Sequence, residues 1–234
     1  MKKLNLSRAV IQACLIFWAA LQIFPLYWLL TFSLKDNTEI FQGNMVGLPS
    51  VWRFENYTHA FMGGNVGRYL ANSIIVTAAT ILIVCIASLM ASYALIRMKW
   101  KLQKTFQLIF IMGITIPIHA ALLPVFIMMR QVHLINTYWC LIIPYSAFAV
   151  PMAIMISSGF ISSIPVELEE AACIDGCNIY KIFIQIILPL MKPSLATIAI
   201  FTFLQSWNEL MFAVVFISKP AYRTLTVGIQ SLVG

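Results

Sequence analysis

Five long apolar segments determine what this chain can fold into. They lie at residues 9–33, 69–96, 105–129, 138–160 and 194–218, and each can cross about 30 Å of hydrocarbon, which takes about 20 helical residues. Because lipid offers the backbone no water, such segments must be helical. Only 10% of the residues are charged, against about 25% in soluble domains. The chain is therefore predicted to be an all-α polytopic membrane protein with five transmembrane helices.

The charges between the apolar segments predict the orientation of the chain. Residues 1–8, 97–104 and 161–193 together hold nine Lys and Arg, and the loops on the opposite side hold six. Because Lys and Arg favour the cytoplasmic side, we expect a cytoplasmic N-terminus and an uncleaved first span. The basic residues are spread over alternate loops and do not form one face, which argues against nucleic-acid binding.

The remaining motifs predict no catalytic residue and no metal site. Cys173 and Cys177 form the one closely spaced cysteine pair, and no His or third Cys follows at zinc spacing. The G-x-x-x-x-G-K-[ST] loop that cradles nucleotide phosphates is absent from the sequence, so we expect the chain itself to hold no ATP.

Two local features predict departures from straight spans. Pro117 and Pro124 lie in the third segment, where each removes a backbone donor and should bend the helix. The loop at residues 34–68 is predicted to form a short amphipathic helix on the membrane surface, because it contains four closely spaced aromatic residues: Trp52, Phe54, Tyr57 and Phe61.

A polar, acidic loop at residues 161–193 separates the fourth and fifth segments. After Pro165, acidic residues crowd a predicted first helical turn, where the helix dipole favours them: Glu167, Glu169 and Glu170. This helix should end near Asp175, because Gly176 can adopt the left-handed conformation. A second helix should begin near Asn178 and stop before Pro189. The sequence thus predicts a helix–turn–helix outside the membrane.

Within this loop, Glu170, Ala171 and Ala172 suit a docking surface. The two alanines are small, so another protein could approach their backbone closely, and the Glu170 carboxylate could bond to an arginine. On composition alone, a solvated acidic helix that merely joins two spans is the more expected interpretation.

The spacing of the loop residues resembles that of a known family. Glu170-Ala171-Ala172 is followed at fixed spacing by Gly176, Ile186 and Leu188-Pro189, which is similar to the cytoplasmic "EAA loop" of permease subunits of bacterial binding-protein-dependent ABC importers. Residues 69–73 and 93–97 resemble other segments of this family, and residues 159–170 resemble the approach to the loop in carbohydrate permeases. The shorter permease of the maltose-type subfamily is similar at Phe203, at residues 207–209 and at residues 224–228. The resemblance covers roughly residues 10–234.

This resemblance implies a type I ABC importer transmembrane fold that forms a single permease domain over residues 1–234. Residues 161–193 would be its coupling loop, with five coupling residues: Glu170, Ala171, Ala172, Asp175 and Gly176. The implied partners are a longer permease, two ATP-binding subunits that hold ATP and Mg²⁺, and an extracytoplasmic solute-binding protein. The implied solute is a carbohydrate, moved by alternating access across the bacterial cytoplasmic membrane.

One departure from the family pattern leaves alternatives open. Six spans are expected for such permeases, whereas five are predicted here, so a truncated, non-transporting fragment is one alternative. The other is a secondary transporter driven by an ion gradient. Such a protein would need paired intramembrane charges or broken-helix symmetry, and neither is evident in the sequence.

The segment Trp207-Asn208-Glu209 is the candidate solute pathway. Glu209 is the one acidic residue within an apolar segment, and buried carboxylates there usually face a cavity or a partner. An aromatic face beside hydrogen-bonding groups resembles a sugar contact. The alternative, and favoured, interpretation is a cluster of hydrogen bonds between helices that holds the permease pair together.

Overall fold

A computed structural model of the protein describes residues 6–41 and 43–233, and every regular element in this part of the chain is a helix. The chain forms two compact units, one up to Asn65 and one from Val66 onward. Three single helices are long and apolar enough to cross a membrane, and two bent helix pairs raise the number of candidate spans to five. The prediction of an all-α polytopic protein is confirmed.

The first unit consists of one long helix and two short ones. They are α1 (Leu6–Ser33), α2 (Asn37–Phe41) and α3 (Glu55–Met62). The chain after α1 is held by Asn56, whose amide donates to the carbonyls of Ser33 and Lys35 at 3.0 Å each. The α3 helix lies where the aromatic-rich helix is expected, and its location on the membrane surface stays a prediction.

Glu39 organises the loop between α2 and α3. Its Oε1 accepts hydrogen bonds from the Ser50 backbone N–H at 2.9 Å and from the Asn44 amide at 2.6 Å. The Ser50 N–H holds the pKa of the Glu39 carboxyl below its ordinary value, because that bond favours the charged form.

Three helices form the centre of the second unit: α4 (Val66–Ile96), α7 (Trp139–Ser163) and α11 (Lys192–Asn208). Small polar residues line their contacts, and Ser88 and Ser157 are fully buried. Small residues let membrane helices approach closely. The hydroxyls of Ser88 and Ser157 donate to carbonyls about one turn earlier in their own helices, as Ser157 does to Ala153 at 2.7 Å, so burial leaves neither of these two donors unpaired.

The third segment is bent by 95° between α5 (Gln103–Ile114) and α6 (Leu122–Gln131). The bend lies at Pro117, whose backbone is extended, as predicted. A 3₁₀ turn at Ile118–Ala121 leads into α6. The predicted interruption at Pro124 is wrong, because Pro124 lies in the first turn of α6, where a missing N–H breaks no helical bond.

The predicted fifth span is wrong at its C-terminal end. Helix α11 stops at Asn208, Glu209 is extended, and α12 (Met211–Phe216) follows as a separate helix. The reason is that the Glu209 carboxylate accepts bonds from the first backbone N–H groups of α12. The chain then passes a 3₁₀ turn at Pro220–Tyr222 and ends in α13 (Leu225–Val233), which packs on α4.

Candidate functional site

The acidic loop folds as the predicted helix–turn–helix. Helix α8 (Glu167–Ile174) ends before Gly176, whose φ of +80° is the left-handed conformation that glycine adopts readily. Helix α9 (Ile179–Ile182) then begins at Asn178, whose side chain accepts from the Lys181 N–H at 2.9 Å.

The second helical stretch runs further than predicted. A π-helical turn at Phe183–Ile187 connects α9 to α10 (Leu188–Leu190), so helical backbone continues through Pro189. This is possible because Pro189 occupies the first turn of α10, directly after the π-helical turn. The expectation that the helix stops before Pro189 is therefore wrong by about one short turn.

An apolar cluster fixes the inner side of this loop to the spans. Tyr93 of α4 and Ile161 of α7 are buried against Ala172, Ile182 and Met191. The Tyr93 ring also packs on the ring of Phe183, with centroids 5.1 Å apart. The loop therefore shares a buried apolar core with α4 and α7.

Arg97 and Glu169 form a polar contact beside this cluster. Arg97 Nε lies 2.7 Å from Glu169 Oε1, and these side chains are only 11% and 13% exposed. The Tyr93 hydroxyl donates to Glu169 Oε2 at 2.8 Å. Arg97 Nη2 donates to the carbonyls of Ile161, at 3.0 Å, and Ile164. One guanidinium group thus contacts the end of α7 and the start of α8.

The structure separates the predicted coupling residues between two faces of α8. Glu169 and Ala172 point inward, three residues apart, as one side of a helix requires. Ala172 is 7% exposed, so its small side chain serves packing within the chain and not an approach from outside. The other predicted coupling residues are exposed: Glu170, Ala171, Asp175 and Gly176.

Exposed apolar side chains that the sequence analysis missed accompany these residues. Ile174 is 88% exposed, Tyr180 is 75% exposed, and Leu168 is also exposed. The sequence feature that could have revealed this exposed surface is the three-residue spacing of Leu168 and Ala171, which places both on a different side of α8 from Glu169. We call the exposed side of α8 that carries Leu168, Ala171 and Ile174 the docking face.

The candidate pathway residues do not converge on one point. Glu209 is 8% exposed and accepts from the Tyr145 hydroxyl at 2.7 Å and the Phe212 N–H at 3.0 Å. Asn208 is exposed and donates back to a carbonyl of its own helix, whereas Trp207 stacks on Phe203. Glu209 thus takes part in hydrogen bonds between helices of this chain, whereas Trp207 and Asn208 have other contacts.

A second hydrogen-bond cluster lies at the start of α4. The Asn72 amide donates to the carbonyls of Ala221 and Arg223 at 2.9 Å each, and its Oδ1 accepts from the Tyr138 hydroxyl at 2.8 Å. Next to it, Ser73 Oγ accepts from the Leu225 N–H at 2.8 Å. A buried asparagine in an apolar run is the signal that could have revealed this role.

Within the described residues, no group of three His, Cys, Asp or Glu side chains could hold a metal ion. The candidate functional features of this part of the chain are the docking face, the Arg97–Glu169 ion pair and the hydrogen-bond clusters around Glu209 and Asn72.

Comparison with known proteins places these features in context. A family model described as "Binding-protein-dependent transport system inner membrane component" matches residues 83–233. A putative ABC transporter permease protein of Caldicellulosiruptor is 37% identical over 91% of this chain and 77% of its own length. A diacetylchitobiose uptake system permease protein of Streptomyces coelicolor is 34% identical over 95% of this chain and 74% of its own length.

A solved structure has the same fold. In the crystal structure of a bacterial ABC transporter involved in the import of the acidic polysaccharide alginate, one chain aligns with a TM-score of 0.86 and 23% sequence identity. The alignment covers 99% of this chain and 81% of that chain.

Proposed function

Because the chain belongs to the family of binding-protein-dependent transport system inner membrane components and is a permease subunit of an ABC importer, we propose that it moves a carbohydrate across the membrane. The family membership removes the alternative of an ion-gradient-driven secondary transporter. The carbohydrate assignment is supported by the relatedness to a permease for diacetylchitobiose uptake.

The docking face is our candidate contact for an ATP-hydrolysing subunit. The observation that carries this proposal is the 88% exposure of Ile174 on a short acidic loop whose opposite side is fixed to α4 and α7. Apolar side chains exposed together mark interaction sites, because burying them in a partner is favourable. The exposed Glu170, Asp175 and Gly176 border this face and complete the proposed contact.

The proposed cycle is alternating access. ATP and Mg²⁺ bind to two partner subunits, and closure of those subunits moves α8. The permease pair, in which a second, longer permease is the other member, then turns outward and accepts solute from an extracytoplasmic binding protein. The permease pair has two conformations, inward-facing and outward-facing. Nucleotide on one side of the membrane and solute on the other shift the equilibrium between them. This arrangement requires the N-terminus to lie in the cytoplasm.

We assign different roles to the three candidate pathway residues. Trp207 and Asn208 remain candidates for solute contact, because Asn208 is exposed and Trp207 is half-buried. The Glu209 carboxylate is occupied by Tyr145 and the start of α12, so its proposed role is to hold the joint between α11 and α12.

The experiment uses Ile174→Asp, with Phe41→Asp as its matched control. Phe41 is 86% exposed on α2, nearly the same as Ile174, but it belongs to the first unit and not to the acidic loop. Burying an isoleucine contributes about 1.5–3 kcal/mol, so Ile174→Asp should weaken association with the ATPase subunit at least about tenfold. Co-purification from membranes with equal permease content is the measurement. Full association of the Ile174→Asp variant would contradict the docking proposal.

A further inference from the structure

The joint between α7 and α8 has few contacts of its own. The backbone is extended at Ile164, and Pro165 follows, so no helical hydrogen bond connects the two helices there. Ala172 of α8 is buried in the apolar cluster with residues of α4 and α7. Polar contacts that bridge the hinge would give α8 a second connection to the spans.

Arg97 bridges this hinge. Its Nη2 donates to the carbonyls of Ile161 and Ile164, at the end of α7, where the last carbonyls lack helical partners. Its Nε pairs with Glu169, in the first turn of α8. Because Arg97 directly follows the last residue of α4, a single side chain joins the ends of three helices.

Tyr93 provides the second contact across the hinge. Its hydroxyl donates to the other oxygen of the Glu169 carboxylate, and its ring packs on Phe183 after α9. Tyr93 and Arg97 lie four residues apart and so share one face of α4. Glu169 is therefore held through both carboxylate oxygens by neighbouring side chains of the same span.

From these contacts we infer that Arg97, Tyr93 and Glu169 are positioning residues that transmit the movement of α8 to α4 during the transport cycle. We call these three residues the strut. The inference rests on the proposed docking of an ATPase subunit to α8, and it assigns transmission to the strut and attachment to the docking face. Glu169 and Glu170 are neighbours in sequence, yet they serve these two different steps.

The burial of the ion pair supports this division. An exposed ion pair contributes little to stability, whereas loss of one partner of a pair that is nearly nine-tenths buried is costly, because it leaves an unpaired buried charge. Glu167 offers a contrast, because it lies in the same first turn of α8 and is exposed. No hydrogen bond or ion pair of the Glu167 side chain is found within residues 6–41 and 43–233.

The test compares Glu169→Gln with Glu167→Gln in the complete importer, assembled with its ATPase subunits in lipid nanodiscs. Each substitution removes one carboxylate from the same helical turn. Attachment is measured by co-purification and ATP hydrolysis. Transmission is measured by hydrogen exchange of α4, as the difference between samples with and without ATP, Mg²⁺ and vanadate.

We expect Glu169→Gln to keep the ATPase subunits attached and hydrolysing within about twofold of the original rate. Its nucleotide-dependent change in α4 exchange should fall at least about fivefold, the lower end of typical coupling between sites. Glu167→Gln should match the unmodified protein in all three measurements. Equal responses of the two variants, or no nucleotide-dependent change in the unmodified importer, would overturn the inference.

Loss of attachment separates the two proposals. If Glu169→Gln detaches the ATPase subunits, Glu169 belongs to the docking contact and the strut is refuted. If Ile174→Asp leaves them attached, the docking proposal fails instead. Should Glu169→Gln not reach the membrane, Tyr93→Phe decides the matter, because it removes one hydroxyl and keeps the ring on Phe183. An unchanged α4 response in Tyr93→Phe would then overturn the inference.

Discussion

The hydroxyl of Tyr145 donates a 2.7 Å hydrogen bond to the carboxylate of Glu209, inside the unit that starts at Val66. The same carboxylate accepts from the backbone N–H groups of Phe212 and Ala213, at 3.0 and 3.3 Å. Four N–H groups at the start of any helix lack helical partners. Glu209 therefore ends one helix, begins the next and ties both to α7.

Loss of Glu209 should destabilise the protein more than loss of the Tyr145 hydroxyl. Tyr145→Phe leaves the backbone donors paired with Glu209 and should cost about 1.5 kcal/mol. Glu209→Ala removes the acceptor for all of them and should cost more, about 3 kcal/mol. Unfolding temperatures in detergent would show which of the two variants is less stable. Asn208→Ala is the control, since Asn208 is exposed. If the Glu209→Ala variant were as stable as the unmodified protein, the role assigned to Glu209 would be refuted.

The joint at Glu209 shows where sequence patterning stops being informative. The apolar run at 194–218 correctly predicts membrane-compatible residues, but hydropathy carries no information about a helix break that polar contacts satisfy internally. The carboxylate that caps α12 is also held by the hydroxyl of Tyr145, 64 residues earlier, and such a pairing cannot be derived from periodicity. The long apolar runs that became α1, α4 and α7 were predictable because length and composition alone decide that they are helical.

Asn72 should tolerate loss of its side chain better than a change of its charge. Asn72→Ala removes two donors and one acceptor at the start of α4 and should cost about 1–3 kcal/mol. Asn72→Asp should cost more, because it places a carboxylate oxygen against the carbonyls of Ala221 and Arg223. Unfolding temperatures give the ranking, with the exposed Ile74→Ala as control. If Asn72→Asp were more stable than Asn72→Ala, the hydrogen bonds assigned to Asn72 would be contradicted.

Gly228 allows α13 to lie directly on Tyr69 of α4. A Cβ atom added at this position would lie 2.1 Å from Tyr69 Cδ2, so Gly228→Ala must displace the ring or the helix. Overpacking of this kind costs about 1–3 kcal/mol. Ile229→Ala, at the exposed neighbouring position, should change stability by less than about 0.5 kcal/mol. A double variant with Tyr69→Leu should recover part of the loss, and strictly additive effects would exclude direct contact.

The acidic loop was the more predictable part of the candidate site. Its helix–turn–helix follows from local chemistry: the acidic first turn of α8, Gly176 and the Asn178 cap. The distinction between Glu169 and Glu170 could not be predicted locally, because it depends on Tyr93 and Arg97, more than 70 residues earlier. Which alanine faces inward follows from the same contacts, since α8 is rotated so that Glu169 meets α4.

The turn between α8 and α9 provides a comparison in which only backbone conformation differs. A Cβ atom added at Gly176 or at Gly159 would meet no other atom within 4 Å, but Gly176 has a φ of +80° whereas Gly159 is helical. Alanine in the left-handed region costs about 1–2 kcal/mol, so Gly176→Ala should loosen the turn. Alanine is favoured over glycine in a helix, so Gly159→Ala should leave stability unchanged or raise it by up to about 1 kcal/mol.

Limited proteolysis of the loop and hydrogen exchange of residues 167–182 would measure this difference. Gly176→Asn should fall between glycine and alanine, because asparagine is tolerated in the left-handed region. The ranking Gly, Asn, Ala at position 176 is expected only if φ controls the turn. If Gly176→Ala and Gly159→Ala protect the loop equally, the left-handed glycine does not set the angle between α8 and α9, and the docking face would have to be positioned by its apolar cluster alone.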